Sequence, residues 1–168
     1  MENEQTNQRV SKRTKRFRYS EDQNGAVTLA GLVTVNDAKS FPYRKADGTS
    51  YSIVDLSQGE YIEEVIEEIR TVCLGYSHSG GVYCDRRVNA KYNSLQVLLE
   101  KLSAEVVILP PSVTRKQMNA CMRNQRISQI HVTDDCKLFS MKDGNVWNKK
   151  GTILIHQQSG SKDNIESV

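Results

Sequence analysis

Ser94-Leu-Gln-Val-Leu-Leu-Glu-Lys-Leu102-Ser-Ala-Glu-Val-Val-Ile-Leu109-Pro110-Pro111 carries two hydrophobic periods in eighteen residues. Leu95, Leu98, Leu99 and Leu102 recur at helical spacing, and Ser94 is placed to cap them. Glu105 to Leu109 is an apolar run closed by two prolines, the pattern of a central strand covered on both faces. A helix that feeds straight into such a strand is half of an α/β unit.

The pattern continues on both sides. Downstream, a third helix is expected from Ser112 or Thr114 to about Arg123, then a strand from Arg126 to Asp134 through Ile127, Ile130 and Val132. Lys137 to Met141 and Thr152 to His156 read as a hairpin around Asp143-Gly144. Upstream, Thr71 to Tyr76 and Gly81 to Val88 read as strands joined by Ser77-His78-Ser79-Gly80. Before them, Glu60 to Arg70 scans as a helix, with Ile62, Val65, Ile66 and Ile69 on one face and Glu63, Glu64, Glu67 and Glu68 on the other. Tyr43 to Leu56 reads as a hairpin turning at Asp47-Gly48, and Ala26 to Val35 as a buried strand, with a break at Phe41-Pro42-Tyr43. The expected fold is therefore α/β, a mixed sheet with three helices. The first 25 residues hold almost no aliphatic side chain, and 157–168 are polar again. The organisation follows: 1–25 a disordered basic arm, 26–156 a single α/β domain, 157–168 a disordered polar tail.

The 168 residues are 38% hydrophobic with a net charge of +3. No stretch approaches a membrane span, and the N-terminus lacks the apolar centre of a secretory signal. Cys73, Cys84, Cys121 and Cys136 are then expected as thiols in a reducing compartment, nuclear or cytoplasmic.

The excess charge is local. Arg9-Val-Ser-Lys-Arg-Thr-Lys-Arg-Phe-Arg18 holds six cations and no acid. Such an arm neutralises phosphates or serves as a nuclear import signal. Arg9, Lys12, Arg13, Lys15, Arg16 and Arg18 are the candidate phosphate contacts, and Phe17 and Tyr19 are candidates for base stacking. A second basic set comprises Arg86 and Arg87 at a strand end and Arg115, Lys116, Arg123 and Arg126 along the third helix and its exit.

Enzymatic chemistry finds no foothold. No phosphate-binding glycine loop is present. His78 and Cys84 near Cys73, and the set Cys121, His131 and Cys136, lack the paired spacing of a zinc site. No metal, cofactor or catalytic residue is expected.

One resemblance bears on the middle of the chain. From Glu68 to about Asn124 the order is a hairpin (Thr71-Val-Cys-Leu-Gly-Tyr76, then Gly81-Val-Tyr-Cys-Asp85), the helix Leu95 to Leu102, and Ser103-Ala-Glu-Val-Val-Ile-Leu-Pro-Pro-Ser112. This resembles the connector region of MutS homologues, especially the meiotic members. It implies a ribonuclease-H-like unit in DNA recombination or mismatch repair. The match covers about a third of the chain, without the connector's third strand before Asn93 or the Phe-x-Glu mismatch-reading motif. No ATPase region follows, so the resemblance implies a form unable to hydrolyse ATP. The expectation is a non-enzymatic DNA- or RNA-binding protein. The alternatives are a small viral RNA-binding protein of coat or silencing-suppressor type, and an adaptor docking a protein partner through the acidic helix at 60–70. A homo-oligomer would suit any of these.

Overall fold

Ala26 to Val33 alternates so that Val27, Leu29 and Val33 are buried while their neighbours are only partly covered. In the computed structural model, which describes residues 16–64, 68–76, 82–89 and 92–158, this is β2, the second strand of the main sheet. β1 (Arg18–Glu21) pairs with it antiparallel, and β3 (Tyr51–Tyr61), β8 (Ala104–Leu109) and β9 (Ile127–Val132) follow in parallel. The fold is mixed α/β. Its sheet order is β1-β2-β3-β8-β9, and a three-stranded sheet of β10 (Phe139–Lys142), β11 (Asn145–Asn148) and β12 (Leu154–His156) lies beyond β9.

Each parallel strand is added on the same side of the last. Right-handed crossovers then put all the connecting helices on one face. These are α1 (Val35–Ser40), α2 (Ser94–Lys101) and α3 (Arg115–Arg123), with α2 packed between the other two. Val54, Leu56, Val107, Leu109 and Ile130 meet Leu95, Leu98, Leu99 and Met118 in the core. On the other face Ile53, Val106 and Ile108 stay partly or largely exposed, so β8 is central but covered on one face only, not both.

Side chains tie the elements together. Asn124 Nδ2 donates to the carbonyls of Leu99 (2.8 Å) and Leu102 (2.7 Å), joining the C-terminal ends of α3 and α2. α3 opens on a reciprocal cap between Thr114 and Gln117. α2 is capped by Asn93, whose Oδ1 accepts from the Leu95 and Gln96 amides; Ser94 sits one position too late and instead donates to the Ile62 carbonyl.

Several expected elements differ. Tyr43–Leu56 is not a hairpin. The Asp47-Gly48 turn forms, with Gly48 at φ +84° and Lys45 N donating to Thr49 O, but residues 43–50 are loop and β3 pairs in parallel with β2 and β8. The expected helix at 60–70 is extended where it is described. β3 runs to Tyr61, β4 is Glu63–Glu64, and β5 (Glu68–Tyr76) pairs with β6 (Val82–Asn89). Ile62 and Ile69 are β-branched, which costs in a helix, and Ile69 finds a strand partner in Val88 of β6. Val65, Ile66 and Glu67, like the expected turn Ser77-His78-Ser79-Gly80, lie outside the described residues. β4 pairs with β7 (Tyr92–Asn93). The hairpin at Asp143-Gly144 joins β10 to β11, and Thr152 to His156 contributes β12 on the far side of β11.

The folded part also reaches further at both ends than 26–156. β1 takes Arg18–Glu21 from the arm. From the tail, Gln158 is buried, with its side-chain amide bonded to both backbone groups of Ile130. That amide does for the outer edge of β9 what a neighbouring strand would.

Candidate nucleic-acid interface

Gly31 sets where the N-terminal segment meets the sheet. At φ +82° it adopts a conformation that favours glycine, and the Arg16 carbonyl lies where a β-carbon would stand. The basic run therefore joins the fold at the carboxyl end of β2. Beyond it, β1 alternates. Arg18 and Ser20 face a shallow groove of about 480 Å³ over Thr28 and Ala30. Tyr19 and Glu21 face a second groove, also about 480 Å³, shared with Pro42, Arg44, Lys45 and Tyr51.

Tyr19 is 50% exposed yet well held. Its ring meets Phe41 edge-on at 5.4 Å and Phe17 at 6.0 Å, while Phe41 in turn meets Tyr51 at 6.0 Å. Aromatic rings in edge-to-face contact brace one another. Phe17 is half-buried against the core and is a support, not a free stacking ring. The Tyr51 hydroxyl donates to the Pro42 carbonyl at 2.7 Å, and burial, aided by Glu21 and Tyr19, pushes its pKa up. The second tyrosine in the groove therefore stays neutral.

Charge around the groove is balanced. Arg44 and Lys45 stand on the loop that turns at Gly48, and Lys45 Nζ lies against Gly25. Beside them are Glu21 and, on the same loop, Asp47. The side-chain and backbone hydrogen bonds from Thr49 hold the Asp47 carboxyl below its ordinary value, so it stays ionised. A neutral, aromatic groove suits a base more than a phosphate. Arg16 and Arg18 are exposed just before and on β1, Arg18 on the neighbouring groove, and supply cations for the phosphate.

The other expected residues scatter. Arg9, Lys12, Arg13 and Lys15 lie outside the described residues. Arg86 and Arg87 fall on β6, opposite Thr71 and Arg70. Arg115, Lys116, Arg123 and Arg126 are all exposed, but they divide between the two ends of α3. Lys116 and Arg123 share a helix face, Arg115 borders an apolar groove, and Arg126 donates to the Glu100 carbonyl at 3.2 Å. They do not form one surface with β1. Arg44 and Lys45 belong to the site and escaped sequence reading, because only the return of their loop beside β1 brings them there.

Among the described residues no group of three or more His, Cys, Asp or Glu could hold a metal ion, and no helix is long and apolar enough to cross a membrane. Cys121 and Cys136 are free and buried. No protein-family model, no curated protein and no solved structure matches this chain.

Proposed function

We propose that the protein is a non-enzymatic nucleic-acid-binding module that takes a single strand across β1. The observation that carries this reading is Tyr19, a half-exposed ring braced by the buried Phe41 and the half-buried Phe17 and adjoining the basic run that ends at Arg18. Stacking on a fixed ring loses little side-chain freedom, and the adjacent cations neutralise the backbone. A duplex keeps its base faces covered and would gain only the charge term. The resemblance at 68–124 supports placing the activity in DNA recombination or repair, and a basic run of this kind would also serve nuclear import.

The test compares wild type with Tyr19→Ala on fluorescein-labelled oligo(dT) and on the matching duplex, by anisotropy. The single strand should lose roughly 1–3 kcal/mol of affinity and the duplex far less. Equal losses on both, or none, would remove Tyr19 from the interface.

A further inference from the structure

Three of the five large hydrophobic side chains that stand exposed among the described residues belong to the small C-terminal sheet and its loops: Leu138 at 39%, Ile153 at 60% and Leu154 at 43%. Between that sheet and α3 runs a groove of about 320 Å³, walled by Arg115, Met118, Asn119, Leu138, Ile153 and Ile155. Arg115 is exposed, and among the described residues no acceptor takes its guanidinium. Lys116 follows it on the helix, and Lys137 precedes Leu138. The Lys149 amide donates to the Leu138 carbonyl, and its Nζ donates to the Asp134 carbonyl at 2.9 Å. That places Lys149 and Lys150 near the same end. Among the described residues Arg115 is the one charged group of the wall itself, and beside Leu138 the exposed Lys137, Lys149 and Lys150 outnumber the exposed Asp134 and Asp135.

We propose that this groove docks an extended segment of a partner protein in which apolar side chains are flanked by Asp or Glu. The apolar walls take the side chains out of water, and Arg115 with the neighbouring lysines meets the carboxylates. Two other occupants fit less well. A nucleic-acid strand would want a ring to stack on, and the one aromatic of the wall, Phe139, is buried. A second copy in a two-fold contact would set this basic rim against itself.

The probe is a short fluorescein-labelled peptide with two leucines set between aspartates, and its control carries lysines in their place. Wild type should bind the acidic peptide and hold the lysine version about tenfold more weakly or worse. Arg115→Glu, Leu138→Asp and Ile153→Asp change side chains already exposed, so circular dichroism should stay native. Each should weaken the acidic peptide by about tenfold or more. No binding, equal binding of the two peptides, or full affinity in folded Ile153→Asp overturns the proposal. So does displacement of the peptide by oligo(dT), which would give the groove to nucleic acid. A wild-type dimer that Ile153→Asp makes monomeric would give it to a second copy and overturn it too.

Discussion

Phe17 and Tyr19 lie two residues apart on one side of the chain, and both rings touch Phe41. Phe17 adds its surface to the core, whereas half of Tyr19 stays in water. Truncating the two should therefore separate stability from binding. Phe17→Ala is expected to cost roughly 1–3 kcal/mol in urea denaturation, and Tyr19→Ala less than about 1 kcal/mol, since only apolar area withdrawn from water counts. Burial has a different consequence at Cys121, whose thiol is pushed up from 9.0 to about 12. Below pH 9 the folded and unfolded chains both hold that proton. Between pH 9 and about 12 only the unfolded chain loses it, so stability falls as pH rises, by up to about 1.4 kcal/mol per pH unit. Tyr61, raised from 10.0 by burial and then by Asp55, adds the same sign of effect at higher pH. Urea midpoints measured from pH 8 to 11 should decline, and Cys121→Ala should flatten the first part of the decline.

At the scale of elements, α2, β8, α3 and β9 were legible because their patterns are long and their ends are marked. Two prolines stop β8, and Thr114 with Gln117 opens α3. α1 escaped notice because six residues carry too little periodicity, although Thr34 and Asp37 form a capping box that the letters already contained. The segment at 60–70 misled because β-branched residues at helical spacing suit either state, and a cross-strand partner decides between them. The acidic helix proposed as a docking face is accordingly absent where that segment is described. The joint between α2 and α3 makes a sharp prediction. Asn124→Ala removes two donors and leaves the Leu99 and Leu102 carbonyls with one hydrogen bond fewer in a buried setting. The cost should be about 2–4 kcal/mol in chemical denaturation, while Arg123→Ala next to it, being exposed, should stay within about 0.5 kcal/mol.

At the scale of the whole molecule, the boundary of the arm changes the experiment it calls for. Deleting 1–20 would strip most of β1 from the sheet, so the informative truncation removes 1–15 and spares Arg16, Phe17 and Tyr19. It takes away Arg9, Lys12, Arg13 and Lys15. The slope of log affinity against log salt for oligo(dT) should flatten by up to roughly 3 units, at about 0.7 for each phosphate no longer neutralised, with the urea midpoint unchanged. An unaltered slope would assign those cations to targeting or to solvation. The amino-acid order by itself determined the fold class, the helix–strand alternation from Ser94 onward and the concentration of charge before Arg18. These are local properties, set by spacing, side-chain shape and terminators along the chain. Only the tertiary structure decided that β3 runs parallel to β2, that Glu68 to Arg70 extend the strand that pairs with 82–89 instead of closing a helix, that Gln158 closes the edge of β9, and that Arg44 and Lys45 stand beside Tyr19. Each of these depends on which distant backbone groups and side chains meet, and that is settled by packing over the whole sheet, where the favourable terms of local propensity are small beside the burial they compete with.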